Sequence, residues 1–223
     1  MIGDIHGSLS ALERLAGRIL DEAPEARIVC VGDYVDRGED SASVLRVLMD
    51  AASRDEVACI AGNHEDMLLM FLDEPEAHGP RWLRHGGLQT LASFGLGGAS
   101  EGARGARLVA LRDDLAQAMG EPLIAWLRGL PLTYCSGNVA VVHAGAVPSL
   151  PIAAQPRTAL LWGDERFPDL PRSDGLWITH GHTIVRAPLV AQGRICVDTG
   201  AYATGMLTAA IVAPDAPVRF IST

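Results

Sequence analysis

The sequence contains no uninterrupted apolar run approaching the roughly 20 residues that a membrane-spanning helix needs, so no bilayer anchor of that kind is expected. Its first residues, Met1 to Ser8, bring an acid and a histidine at once, without the basic flank and apolar stretch of a secretory leader. Cysteine is sparse: Cys30, Cys59, Cys135 and Cys196 are scattered and never spaced as Cys-x-x-Cys. A zinc ribbon or disulfide framework is therefore not expected, and a reduced, cytoplasmic setting is. Positive charge is in deficit too, with 18 basic against 27 acidic side chains and a net charge of −9. Such a chain does not grip nucleic acid by bulk attraction, and it carries no basic stripe interleaved with aromatics. Any anion it handles needs a local positive centre, either a metal or a placed arginine.

What is present is ordinary globular material. Apolar residues make up 48% and charged residues 20%, which excludes whole-chain disorder, a collagen-like repeat and a coiled coil. The 223 residues are ample for a real core, and no linker or internal repeat divides them. One domain over residues 1–223, monomeric, is the expectation.

Two periodicities alternate in the first third. Leu9, Leu12, Leu15, Ala16, Ile19 and Leu20 share one helical face, with Ser8 as the expected N-cap. Arg27–Gly32 and Val57–Gly62 read as short buried strands, each followed by helical spacing, over Ser41–Ala52 and then from Glu65 onward. This order predicts parallel strands joined by crossover helices. Trp82–Phe94 reads as a helix broken by Gly86 and Gly87, and residues 95–105 carry five glycines, which predicts a flexible loop or lid. Helices over Leu108–Met119 and Pro122–Leu130 lead into a β-rich end. Its strands are expected at Leu132–Cys135, Val139–Val142, Trp177–Thr179, Ile195–Asp198, Leu207–Val212 and Val218–Ile221.

The polar residues repeat one design. Gly3-Asp4-Ile5-His6-Gly7 precedes the first helix, and Gly32-Asp33-Tyr34-Val35-Asp36-Arg37-Gly38 follows the first strand-like run. Gly62-Asn63-His64-Glu65, Val142-His143-Ala144-Gly145 and His180-Gly181-His182-Thr183 follow later ones. Ligands of open α/β sheets bind beyond the carboxyl ends of strands, and glycine there lets the chain turn sharply. Gathering so many desolvated polar groups is costly without a compensating ion. Two aspartates, an asparagine and three histidines, with no thiolate, form an oxygen and nitrogen set suited to Mn²⁺, with Fe or Zn²⁺ as alternatives. Asp4 and His6, two residues apart, can face one cation from a strand end. Six candidate ligands exceed one tetrahedral ion and suit two octahedral ions that share a carboxylate. Such a pair activates water and holds both oxygens of an in-line displacement, which points to phosphoester hydrolysis.

These motifs, GDIHG, GDYVDRG, GNHE, VVHAG and GHT in this order, resemble the metallophosphoesterase signature of the phosphoprotein phosphatase family. RHGG, TLASFG, LLW and VDTGAYATGMLT are similar to its bacterial serine/threonine phosphatase branch, so the resemblance runs from Gly3 to about Thr208. It implies an α/β, calcineurin-like fold: a β-sandwich of mixed sheets flanked by α-helices, with a dinuclear metal site at the strand ends. By this resemblance Asp4 and His6 bind the first metal, Asp33 bridges both, and Asn63, His143 and His182 bind the second. His64 is the general acid, oriented by Asp36, and Arg37 clamps the phosphoryl oxygens. His180 matches no family ligand, and His78 and His85 read as loop or helix-end residues.

Three departures stand out. Only Met1 and Ile2 precede Gly3 where the family has a longer apolar strand, and a strand usually has around five residues, so upstream residues are expected to complete it. His85 stands where relatives commonly carry asparagine. Asp164 stands where many carry a second phosphate-binding arginine, and Arg166 is its nearest substitute. The expected activity is hydrolysis of phosphoserine or phosphothreonine monoesters by a metal-activated hydroxide, with phosphoproteins or small phosphoesters as partners. The alternatives are a symmetrical dinucleoside tetraphosphatase and a non-catalytic binding module of the same fold.

Overall fold

A computed structural model describes residues 1–223. The first half of the chain alternates α1 (Leu9–Glu22), β1 (Ile28–Cys30), α2 (Ser41–Ser53), β2 (Val57–Cys59) and α3 (Asn63–Asp73). A helical stretch follows, with α4 (Pro75–Trp82), α5 (Leu88–Ser93), α6 (Ala106–Met119) and α7 (Glu121–Arg128). The second half holds β3 (Thr133–Ser136), β4 (Val139–Val142), α8 (Arg157–Trp162), β5 (Trp177–His180), β6 (Leu189–Ala191) and β7 (Arg194–Cys196). The short α9 (Ala201–Thr204) and the hairpin β8 (Thr208–Ile211) and β9 (Arg219–Ser222) close it. No helix is long and apolar enough to cross a membrane.

The expected crossover is present: β1 and β2 pair in parallel across α2. Beside β1, Ile2 bridges Cys30 in parallel and Ala209 of β8 in antiparallel, so Met1–Gly3 stitches the β1–β2 pair to the β8–β9 hairpin. The second sheet runs β3-β4-β5-β7-β6, with parallel pairs at its centre and an antiparallel pair at each edge. Both sheets are mixed, as the resemblance implied.

Period-two alternation stacks the layers. Ile28 and Cys30 face the main helical core, while Val29 and Val31 between and beyond them turn the other way. There they meet Val141, Ile195 and Val197 of the second sheet in an apolar seam. Ala140 and Val142, on the outer face of β4, pack with Ile178, Leu160 of α8 and Phe167. Helices, sheet, sheet and helix thus form a sandwich whose strands end together.

The structure departs from expectation locally. Ser8 stands at the N-cap of α1, but its side chain caps nothing. The loop over residues 95–105 is not free along its length: Ala103 is buried, and Leu96 and Ala99 pack on the core. Helices α4 and α8 and strand β6 had no clear periodic signal. The break at Gly86 is genuine. With φ of 110°, Gly86 turns the chain so that its carbonyl accepts the Arg37 N–H at 3.4 Å. A Cβ there would lie 2.5 Å from that same nitrogen. Gly86→Ala should therefore cost about 1–3 kcal/mol, the usual range for a forced backbone conformation. Denaturant titration checks this, and an unchanged midpoint would contradict the packing described.

Candidate active site

The loops that follow Ile2, β1, β2, β4 and β5 converge, and one buried carboxylate ties two of them together. Glu65, in the first turn of α3, is fully buried. Its Oε2 accepts the N–H groups of Asp33 at 2.8 Å and Gly62 at 2.9 Å. Its Oε1 accepts those of Tyr34 at 2.7 Å and Val35 at 3.3 Å. Burial pushes its carboxyl up to about 7, with Asp33 adding to the effect and the Gly62 and Tyr34 N–H bonds opposing it. The backbone it fixes delivers Asp33 from one loop and Asn63 and His64 from the other.

Asp33 lies between two groups of donors. His6, Asp33 and His64 have donor atoms within 4.8 Å of one another, and so do Asp33, His143 and His182. Its Oδ2 faces His6 Nε2 at 3.5 Å, and its Oδ1 faces His143 Nε2 at 3.4 Å. One oxygen therefore looks to each side. Asn63 Oδ1 joins the second group, 2.8 Å from His143 Nε2 and 2.9 Å from His182 Nδ1. Asp4 stands beside them: its Oδ2 accepts the His182 N–H at 2.9 Å, while its buried Oδ1 has no partner at all.

The hydrogen bonds identify which ring nitrogens are free. His6 Nδ1 donates to the Val35 carbonyl at 2.7 Å and His143 Nδ1 to the Val31 carbonyl at 3.0 Å. With those protons on Nδ1, each Nε2 presents a lone pair to the Asp33 carboxylate. His143 Nε2, Asn63 Oδ1 and Asp33 Oδ1 then crowd together as acceptors, and the backbone N–H that reaches them is that of His64, to Asp33 Oδ1 at 3.0 Å. Burial keeps the imidazoles neutral, lowering His6 to about 3 and His182 to about 4 and holding His143 below its usual value. Burial opposes ionisation of Asp33, yet His143, His64 and His6 hold its carboxyl below the ordinary range. Asp4 is pushed the other way, by burial first and then by the neighbouring Asp198 carboxylate.

Buried lone pairs in contact, and an orphaned carboxylate oxygen, are what cations would satisfy. The space is kept open by glycine: a Cβ on Gly62 would lie 2.2 Å from Asp33 Oδ1, and one on Gly181 would lie 1.8 Å from Asp4 Oδ1. The donor set fits divalent ions, with Asp4, His6 and Asp33 on one side and Asp33, Asn63, His143 and His182 on the other. The sequence contains no lysine, so arginine is its only permanently charged side chain able to meet a phosphate.

An imidazole–carboxylate pair flanks the donors. His64 Nδ1 lies 2.7 Å from Asp36 Oδ2, and Asp36 is held by Trp82 Nε1 at 3.0 Å and the Thr90 hydroxyl at 2.7 Å. Burial alone would discharge His64, but Asp33 and Asp36 together hold its imidazolium above the ordinary value. Arg37 Nη2 reaches to 3.2 Å from His64 Nε2, so guanidinium and ring edge share one space. Tyr202 lies under that guanidinium, 4.9 Å from ring centroid to Cζ. His6, Asp33, Asp36, Arg37 and His182 all have positive φ, so five of the residues in these converging loops hold a strained backbone conformation.

The remaining expected residues lie apart. Arg166 is exposed and its fork is engaged by the Asp164 carboxylate at 2.9 and 2.8 Å, not offered to the donor groups. His180 packs edge-on to Phe167, and exposed His85 binds the Arg81 carbonyl. Glu65, Thr90, Asp198 and Tyr202 lie inside motifs quoted above without a role given to any of them, and Trp82 was read only as the start of a helix. A buried acid three residues past a turn glycine is the signal that could have marked Glu65.

A family model described as calcineurin-like phosphoesterase matches residues 1–195. The chain is 31% identical over 163 residues to the symmetrical bis(5'-nucleosyl)-tetraphosphatase of Aromatoleum aromaticum, covering 71% of this chain but 47% of that protein. It thus spans about half the length of such relatives. The asymmetrical bis(5'-nucleosyl)-tetraphosphatase of Bacillus subtilis is 28% identical, over 93% of this chain and 88% of its own length. A crystal structure assigned provisionally as a diadenosine tetraphosphatase superposes with a TM-score of 0.67 at 22% identity, covering 99% of this chain and 91% of that one.

The shared position of Asp33 predicts that Asp33→Asn lowers occupancy on both sides, whereas Asp4→Asn lowers it on one. Elemental analysis after dialysis against Mn²⁺ reads this directly. Full occupancy in Asp33→Asn would remove the carboxylate from its bridging place.

Proposed function

The chain belongs to the calcineurin-like phosphoesterase family, and we propose that it is a divalent-metal-dependent hydrolase of dinucleoside polyphosphates. The observation that carries this reading is the end-to-end match to an asymmetrical bis(5'-nucleosyl)-tetraphosphatase, against a half-length match to symmetrical ones. It favours cleavage of a tetraphosphate with one water into a nucleoside monophosphate and a nucleoside triphosphate. Phosphoserine and phosphothreonine hydrolysis, the first expectation from the sequence, becomes the second reading. The dinucleoside tetraphosphatase alternative moves ahead of it in substrate class, with asymmetrical cleavage in place of the symmetrical cleavage expected there. The motif set still suits both.

Divalent ions held by Asp4, His6, Asp33, Asn63, His143 and His182 would supply Lewis acidity at phosphorus and make water acidic enough to attack. The chain's own groups do the rest. Arg37 offers two parallel N–H donors to phosphoryl oxygens, a charge-assisted pairing that also fixes orientation. Tyr202 beneath it limits where that fork can swing. His64 gives its Nε2 proton to the leaving oxygen, and Asp36, fixed by Trp82 and Thr90, accepts the Nδ1–H and keeps the ring aimed.

With Mn²⁺ supplied, kcat/KM on diadenosine tetraphosphate should exceed that on a phosphoserine peptide, and chromatography should resolve AMP and ATP rather than ADP alone. A preference for the phosphopeptide would restore the second reading, and ADP as sole product would make the cleavage symmetrical.

The acid matters most where the leaving oxygen is basic. A serine alkoxide needs a proton far more than a polyphosphate or p-nitrophenolate does. His64→Asn should therefore retain its metals yet lose on the order of 10²–10⁴ in kcat on phosphoserine, the usual contribution of general acid catalysis. On diadenosine tetraphosphate and p-nitrophenyl phosphate the loss should be at least about tenfold smaller. Equal losses, with chemistry rate-limiting, would show that His64 is not the acid.

A further inference from the structure

A cavity of about 700 Å³ opens between the end of α8 and strands β6 and β7, and His182 forms part of its wall. It therefore adjoins the second donor group, where a phosphoryl group would sit. Trp162, Phe167 and Leu189 give it an apolar lining, and Trp162 and Leu189 stay 36% and 52% exposed there. The Trp162 ring is held from two sides: Arg81 Cζ lies 4.6 Å from its centroid, and the His182 ring meets it edge-on.

The charges around the cavity decide what it accepts. Arg166 is paired with Asp164. Arg194 donates to the Leu170 and Pro168 carbonyls and to the Gln192 side chain, with its guanidinium over Phe167. Neither is offered to an incoming phosphate, and the acidic residues Glu165 and Asp164, the latter paired with Arg166, line the same space. A body bound here has apolar faces, no negative charge and N–H donors at its edge. A nucleobase answers that description, and the volume lies in the range of small-molecule pockets. An acidic peptide does not.

We infer that this cavity is a nucleoside subsite, which takes one nucleoside of the substrate by stacking against Trp162 while the phosphate chain leads past His182 to the donor groups. The assignment rests on the reading of the chain as a dinucleoside polyphosphate hydrolase, and it places the base where acidic groups can accept hydrogen bonds from its amino edge.

Titration calorimetry of AMP and of inorganic phosphate into Mn²⁺-loaded protein tests it without recourse to turnover. The wild type should bind AMP roughly 10- to 100-fold more tightly than phosphate, the usual gain from stacking one base on an aromatic side chain. Ala191→Trp, which fills the cavity from β6, and Trp162→Ala, which removes its wall, should both bring that ratio toward one. Ribose 5-phosphate should resemble phosphate. Equal affinities for AMP and phosphate in the wild type, or a ratio unchanged in both variants, overturns the subsite. So does a phosphoserine peptide whose binding, rather than that of AMP, is lost in Ala191→Trp. Failure of the broader reading is seen separately, as a wild type that cleaves p-nitrophenyl phosphate but not diadenosine tetraphosphate.

Discussion

The bonds from four backbone N–H groups to Glu65 are the constraint on which the rest of the site depends. Asp33 reaches its place only because the chain after β1 folds back with positive φ, a conformation that costs free energy and needs an outside partner to hold it. Glu65 provides that partner, and it does so from α3, whose N-terminal residues also carry Asn63 and His64. A single carboxylate therefore registers Asp33, Asn63 and His64 against each other. Its burial is tolerable because every donor it meets would itself be unsatisfied without it.

Electrostatics then divides chemically identical side chains into different roles. His6 and His143 are buried and His182 half-buried where desolvation keeps them neutral, and each has a nitrogen facing Asp33 or Asn63. His64 is as deeply placed but lies near Asp33 and has a second carboxylate, Asp36, on its other nitrogen, and the two together move it toward the charged form. Groups of one type driven in opposite directions are the usual sign of separate acid and ligand duties. The same logic sets Asp4 against Asp33. Asp33 is surrounded by imidazoles and stays ionised, while Asp4 sits against Asp198 with an oxygen that has no partner.

Much of this was legible from residue order. Strand–glycine–acid repetition located the polar loops, and period-two alternation in Ile28–Val31 and Ala140–Val142 matches the layers those residues enter. Helix α4 was not legible, because Pro80 and Gly79 interrupt its pattern and its stability comes from packing on α3 and α6. Glu65 was seen only as a motif letter: its partners are backbone groups, and sequence does not reveal where backbone donors point. Arg166 was chosen by proximity along the chain, but Asp164, two residues away, reaches it first. The substrate was the least legible feature, since the motifs describe the phosphoryl site and say little of what the phosphoryl group is attached to.

Asp33 turns one carboxylate oxygen toward His6 and the other toward His143, so divalent ions held by the two donor groups would share it. Anomalous diffraction at the manganese edge, from crystals grown with Mn²⁺, tests it most directly. The account predicts two peaks about 3.5–4 Å apart, one toward His6 and one toward His143, with Asp33 between them. A single peak, or two peaks that do not share Asp33, would contradict it.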